Sequence, residues 1–377
     1  MLYNDFKGLK LSALGMGCMR FPCNTVGDRK IIDKAATKEM IDYAIQNGIN
    51  YFDTAWAYHD GMSEPVMGEL LSQYPRDSFY LATKFPGYDV SVLSKVEEIF
   101  ESQLARCRTE YFDFYLFHNV SEKNIDGYLD EKFGIFDYLL KQKKNGRIRH
   151  LGFSTHGSLH TIKRFLDAYG KDMEFCQLQI NWLDWSFQNA KEKIALVSSY
   201  GLPVWVMEPV RGGRIASLAP NQEQRLRALR ESATVPEWAF RFVQSLPEVV
   251  VTLSGMSNFE QLKENIATYT VKKPLSGTET KVLFEIADEI IAKTAIPCTG
   301  CNYCTAHCPM ALNIPELIKR YNEHAYTATA IPTSALDGIE ADKHPHACIS
   351  CRSCEGLCPQ GIKISEILHS FNDKIKD

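Results

Sequence analysis

Two short stretches near the C-terminus repeat one cysteine spacing: Cys298-x2-Cys301-x2-Cys304-x3-Cys308-Pro309 and Cys348-x2-Cys351-x2-Cys354-x3-Cys358-Pro359. No other feature restricts the fold so tightly. Three thiolates spaced by two residues sit on one tight loop and can grip three corners of a four-iron cube, which leaves the fourth corner to a ligand from elsewhere. A zinc site usually shows two separated cysteine pairs instead of triplets ending in Cys-Pro, and a disulfide framework belongs to small secreted chains. The spacing predicts two 4Fe-4S clusters with these eight cysteines as ligands.

The duplication resembles the two-cluster bacterial ferredoxins, in which the fourth cysteine of each run serves the other cluster. That resemblance implies one cube on Cys298, Cys301, Cys304 and Cys358, and a second on Cys348, Cys351, Cys354 and Cys308. A small ferredoxin-like domain of short helices and loops is expected over residues 294–377, with helices at NIPELIKRY and ISEILHSFNDKI and a loop between. Eight of the 12 cysteines lie in the runs, and Cys18, Cys23, Cys107 and Cys176 have no framework spacing. The expectation is a reduced, cytoplasmic chain. The N-terminal MLYNDFKGLKLSALGMGCMRFP lacks a basic leader and apolar core, and no later apolar run is long enough to span a bilayer. A net charge of -4 spread over mixed residues gives no nucleic-acid footprint, and RLRALRESA reads as a solvated helix face.

Residues 1–293 follow another rhythm. Short β-branched or aromatic runs at Leu14–Cys18, Ile49–Asp53, Phe79–Thr83, Phe112–Phe117, His150–Ser154, Phe175–Ile180, Pro203–Met207 and Val249–Ser254 alternate with segments of helical period. One of those segments, KVEEIFESQLARC, places Val96, Ile99, Phe100, Leu104 and Cys107 on a single stripe. Eight βα units predict a closed (β/α)8 TIM barrel, an α/β fold whose active site forms at the C-terminal strand ends.

Three of those ends carry four such residues: Asp53 (in YFDTAWAY) with Tyr58 five residues on, Lys84 (in YLATKFP) and His118 (in FYLFHN). This constellation resembles the aldo-keto reductases, and the likeness runs from Leu9 to Tyr269 through LGFST and SGMSNFEQLKENI. The resemblance implies an oxidoreductase that reduces a small carbonyl substrate (an aldehyde, a ketone or a quinone-like compound) with NAD(P)H. Tyr58 is then the proton donor. A phenol is a poor acid near neutrality, with a pKa of about 10, so Lys84 supplies positive charge beside it. Asp53 holds the Lys84 ammonium, and His118 orients the carbonyl oxygen. His59 and His156 have no matching role and are expected to line the pocket.

By the same resemblance, Ser154, Thr155 and Gln179 hold the nicotinamide carboxamide, and Met207, where many relatives carry an aromatic residue, faces its ring. The loop EPVRGGRI, with Pro209, Arg211, Gly212, Gly213 and Arg214, covers the pyrophosphate. Gly255, Ser257, Gln261, Glu264 and Asn265 surround the adenosine. NADP(H) is expected, with NAD(H) open, and Arg211 or Lys263 would supply charge for a 2′-phosphate. Trp56 to Met62, with Trp182 and Trp185, offer aromatic walls for an apolar or ring-bearing substrate, or belong to the core.

Hydride transfer moves two electrons, whereas a 4Fe-4S cube ordinarily passes one. The clusters therefore either hold the small domain together or relay electrons with a ferredoxin or flavodoxin partner, and a flavin is one way to convert between the two steps. Two further readings remain beside the reductase: a redox-sensing or regulatory nucleotide-binding subunit with little turnover, and a flavin-linked oxidoreductase.

Overall fold

The computed structural model describes residues 1–27, 29–296, 298, 300, 302–325, 330–358 and 360–376. The chain divides into two compact units, Met1–Leu283 and Phe284–Asp377. In the first, the eight apolar runs become eight strands: β1 Leu14–Gly17, β2 Tyr51–Asp53, β3 Tyr80–Phe85, β4 Phe112–Val120, β5 Ile148–Thr155, β6 Cys176–Gln179, β7 Val204–Met207 and β8 Val249–Ser254. They pair in parallel and close into a barrel, with β8 against β1. Helices cover the outside, so strands such as β4 bury six consecutive residues from Phe112 to Phe117.

Three strands, β3, β4 and β5, run past the C-terminal ends of their apolar runs, β4 by the most. β4 continues to Val120 because its register against β5 shifts between Phe117 and Val120, where Asn119 takes a left-handed conformation (φ 53°). The Asn119 N–H donates to the Ser154 hydroxyl at 2.9 Å. Such a bulge re-aims its side chains, and here it falls beside His118 at the barrel mouth.

The barrel floor is closed by an antiparallel hairpin, Tyr3–Phe6 with Leu9–Ser12. Its two-residue turn, Lys7-Gly8, has positive φ at both positions (52° and 85°), the twist that matches paired strands. Phe6 is buried and meets Trp205 edge-on at 5.0 Å, with His150 and Phe175 also around it. The expected helix Val96–Arg106 forms, and it buries Val96, Ile99, Phe100 and Leu104 together with one polar residue, Gln103. RLRAL lies in the helix Pro220–Leu229, which buries only Gln222 and Leu226.

The second unit contains both expected helices, Ile314–Ala325 and Ile364–Lys374. Leu317, Ile318, Tyr321, Leu368 and Phe371 build its core. Among its described residues, the stretch read as loop contains three 3-10 turns and a two-residue strand, Ile331–Pro332, which pairs in parallel with Ile375–Lys376. Among the described residues no helix is long and apolar enough to cross a membrane.

The floor hairpin is pinned by charge as well as by Phe6. The Glu174 carboxylate accepts from Lys7 at 2.6 Å, Lys143 at 2.6 Å and His150 at 2.8 Å. Burial opposes its charge, but hydrogen bonds from His150, Lys143 and Lys7 prevail and hold its pKa far below the carboxylate range. A depressed folded-state pKa contributes stability above the unfolded value, and that stability is lost as pH falls through the folded one. Glu174→Gln is expected to lower stability at pH 7 by about 2 kcal/mol, a figure kept modest because Lys7 is largely exposed. The gap should narrow as pH drops below about 4.3, which urea denaturation at pH 7 and pH 3 would measure.

Candidate active site and cluster ligands

β2, β3 and β4 bring Asp53, Tyr58, Lys84 and His118 together at the C-terminal mouth of the barrel. Lys84 Nζ donates to Asp53 Oδ1 at 2.6 Å, to the Thr54 carbonyl oxygen at 2.8 Å and to Tyr58 Oη at 3.4 Å. Lys84 and Asp53 are buried, while Tyr58 and His118 are half-buried. The His118 ring stands edge-on to Tyr58 at 6.1 Å and to Tyr88 at 5.0 Å. Burial works against the Lys84 ammonium, yet Asp53 and Tyr58 outweigh it and hold its pKa above the ordinary value. Burial raises the Tyr58 phenol, and Lys84 pulls it part of the way back. Burial and then the Lys84 charge push His118 well below its usual pKa, so the imidazole is neutral at pH 7. Its Nδ1 is buried and has no hydrogen-bond partner among the described residues.

A polar network behind these four was invisible from strand-end reading. Glu64 Oε1 accepts from Thr83 Oγ1 at 2.6 Å and from Gln103 Nε2 at 2.7 Å. Gln103 also donates to the Lys84 carbonyl oxygen at 3.0 Å and accepts from Tyr115 Oη at 2.6 Å. Arg106 pairs with Glu64 at 3.1 Å, donates to the carbonyl oxygens of Trp56 and Gly61, and lies over the Trp56 ring at 4.2 Å. Both ends of the loop that carries Tyr58 are thereby held. That loop needs holding, because His59, Asp60 and Gly61 are all left-handed (φ 53°, 54° and 83°). The one available signal was Gln103, a polar residue on an apolar helical stripe.

His59 accepts from the Phe21 N–H at 3.1 Å, and His156 is exposed. Of the expected aromatic walls, Trp182 is completely buried and belongs to the core, and Trp185 packs edge-on to Phe242 at 5.4 Å. Trp56 is half-buried, and Met62 is exposed.

The residues expected to hold a dinucleotide divide into two groups. Gly213, Gly255, Ser257, Gln261 and Glu264 are exposed, and the place of a Cβ on Gly213 is open space with a backbone (φ 92°) that favours glycine. Exposed loop backbone of this kind fits the close approach of phosphates. Ser257 N–H donates to Gln261 Oε1 at 2.8 Å, and Asn265 Nδ2 to Ser254 Oγ at 3.1 Å. Other side chains serve the fold itself. Thr155 gives its O–H to the Val120 carbonyl oxygen at 2.6 Å and accepts from Gly157 N–H at 2.9 Å, which leaves it no proton for a carboxamide. Gln179 Nε2 donates to Asp184 Oδ2 at 2.8 Å. Met207 is half-buried, its sulfur 3.6 Å from Gln177 Nε2, and Pro209 is buried. Arg211 changes role most. Instead of offering charge to a 2′-phosphate, its guanidinium is buried with Nε 3.0 Å from Asp184 Oδ2 and 5.5 Å from the Phe187 ring. Lys263 lies 4.7 Å from the Phe259 ring.

In the second unit, Cys308, Cys348, Cys351 and Cys354 line one pocket with Leu312 and Leu368. Burial, Glu355 and the neighbouring Cys308 and Cys348 push the Cys354 thiol up to about 11. This is one thiol from the first run beside three from the second. Four thiols drawn into one pocket fit a cube that takes one at each corner. Among the described residues no three His, Cys, Asp or Glu side chains close on a single ion. Cys304 lies in the core of the same unit and the partly buried Cys298 and Cys358 pack against that core, where the helix Tyr303–Ala306 meets the turn Glu355–Leu357 that precedes Cys358. Cys301 lies outside the described residues.

Comparison with known proteins agrees with this architecture. The model of the aldo/keto reductase family matches residues 13–287, and that of a 4Fe-4S dicluster domain matches residues 297–362. The chain belongs to the aldo/keto reductase family and carries a C-terminal 4Fe-4S dicluster domain. It is 26% identical over 314 residues to probable aldo-keto reductase 1 of Glycine max, an alignment covering 74% of this chain and 86% of the relative. The holo structure of the aldo-keto reductase AKR11C1 from Bacillus halodurans is similar at TM-score 0.61 and 25% identity, covering 74% of this chain and 93% of that one. An aldo-keto reductase from Klebsiella pneumoniae in complex with NADPH shares the fold at TM-score 0.61 and 19% identity, over 76% of this chain and 96% of that one.

The Asp184 carboxylate is a buried hub that accepts from Gln179, Asn181 and Arg211 on one oxygen. Asp184→Asn keeps the shape and removes the countercharge of a buried guanidinium. It is expected to cost about 3 kcal/mol, read as a lower urea midpoint with an unchanged slope.

Proposed function

We propose that this protein reduces a carbonyl compound with NAD(P)H, with Tyr58 as proton donor. The observation that carries the reading is the position of Lys84 Nζ, 2.6 Å from Asp53 Oδ1 and 3.4 Å from Tyr58 Oη. A reduced nicotinamide bound at the barrel mouth supplies hydride to the carbonyl carbon. The residues of this chain deal with the oxygen. His118, neutral and with its ring beside Tyr58, donates a hydrogen bond that orients the carbonyl. Tyr58 keeps its proton at neutral pH because its pKa lies above the ordinary phenol value, and it gives that proton to the oxygen as negative charge develops there. The Lys84 ammonium stabilises the phenolate that remains, and Asp53 and the Thr54 carbonyl fix the ammonium in place. A proton from solvent then restores the phenol. NADPH is the favoured donor, since a relative of the same fold is known with NADPH bound. The exposed Met19, Met62 and Val90 on the loops after β1, β2 and β3 favour a substrate with an apolar portion.

Steady-state assay of aldehydes, ketones and quinones with NADPH and NADH tests the reading. Tyr58→Phe is expected to lower kcat by about 100- to 10,000-fold and to leave nucleotide affinity unchanged. Wild-type reduction should stay level from pH 6 to 8 and decline only where the phenol ionises, above about pH 10. Full turnover by Tyr58→Phe would remove the proton-donor role. Tight nucleotide binding without turnover of any carbonyl would favour a redox-sensing subunit.

The C-terminal domain adds single-electron capacity. Cys351 is exposed beside Ile349, which is 59% exposed, so one corner of the pocket meets solvent. That exposure supports electron exchange with an external ferredoxin or flavodoxin, over a purely structural role. When a ferredoxin system reduces the clusters, substrate turnover without nicotinamide is expected. Its absence with every acceptor tried would count for the scaffold.

A further inference from the structure

With Arg211 committed to Asp184, the charge facing a dinucleotide's phosphates has to come from another residue. Arg20 lies where it is needed. The loop after β1 carries this residue to the barrel mouth, and Gly17 permits the approach: a Cβ there would lie 3.3 Å from the Gly255 nitrogen, so β1 and the end of β8 touch through backbone. The Arg20 stem runs along Gly255, whose Cβ position is 3.2 Å from its Cβ, Cγ and Cδ alike. Its guanidinium reaches Gly212, whose Cβ position is 2.9 Å from Nη2. The side chain therefore spans the loops after β8 and β7, the two expected to cover the adenosine and the pyrophosphate. It is exposed, and it makes no hydrogen bond or ion pair with any described residue.

We propose that Arg20 is the phosphate clamp of the nucleotide site, binding phosphoryl oxygens of the dinucleotide between the β7 and β8 loops. This rests on the nucleotide reading of the mouth given above. A guanidinium presents a rigid fork of N–H donors that matches two phosphoryl oxygens at once, which an ammonium does not. The left-handed Gly212 (φ 64°) keeps a Cβ out of the space the fork occupies, and the exposed Gly255 does the same for the stem. The same chemistry serves a pyrophosphate or a 2′-phosphate. The head group's place on Gly212 brings it nearer the loop assigned to the pyrophosphate.

The test is calorimetric titration of the full-length, cluster-loaded protein with NADPH and with NADH. Arg20→Gln is expected to weaken binding about 10- to 100-fold, with Arg20→Lys intermediate and Lys171→Gln, an exposed charge away from the mouth, unchanged. Equal losses for both nucleotides assign the clamp to the pyrophosphate, and a loss confined to NADPH assigns it to the 2′-phosphate. Unchanged affinity for both in Arg20→Gln overturns the proposal. A wild-type protein that binds neither nucleotide overturns the reading of the mouth beneath it.

Discussion

A charged lysine in the wall of a barrel is costly, and the candidate active site depends on how Lys84 is kept there. Removing an ammonium from water costs several kcal/mol unless its protons find acceptors. Three surround it: a carboxylate, a backbone carbonyl and the phenol itself. The phenol is thus part of what makes the buried charge tolerable, and chemistry and packing rest on one contact. The Glu64, Gln103 and Arg106 network extends this outward, since Gln103 holds the Lys84 backbone while Arg106 holds the loop that presents Tyr58.

Part of the local backbone strain lies at the barrel mouth. His59 and Asp60 after β2, Asn119 at the bulge of β4, and Glu208 and Arg211 after β7 take positive φ without being glycine. Left-handed backbone in such residues persists only when surrounding contacts overdetermine it. The contacts are identifiable: Arg106 for the loop after β2, Ser154 for the bulge in β4, and Asp184 for the loop after β7. Each anchor is a polar side chain reaching from a neighbouring element.

That pattern explains what the sequence disclosed. The eight strands were legible because parallel barrel strands, covered on both faces, are short apolar runs. Asp53, Lys84 and His118 were legible because they sit at or near strand ends, a position defined along the chain. The pairing of Arg211 was illegible for the opposite reason. Whether an arginine in a glycine-rich loop meets a phosphate or a carboxylate depends on Asp184, which is 27 residues away and has no periodic relation to it. Arg20 was passed over because its meaning lies in the two glycines it rests against, each from a different loop. Trp182 offered an aromatic ring without any signal of burial.

The pocket in the second unit gathers Cys308 with Cys348, Cys351 and Cys354, residues from opposite ends of a long intervening segment. A cluster held by these four thiols is a cross-link that closes that segment into a ring. Metal incorporation and chain folding are then a single event, because metal binding energy in so small a domain is folding energy. A cluster with this ligand set is completed only when both cysteine runs are present. Such a cluster ties the pairing of the two runs to the loading of iron.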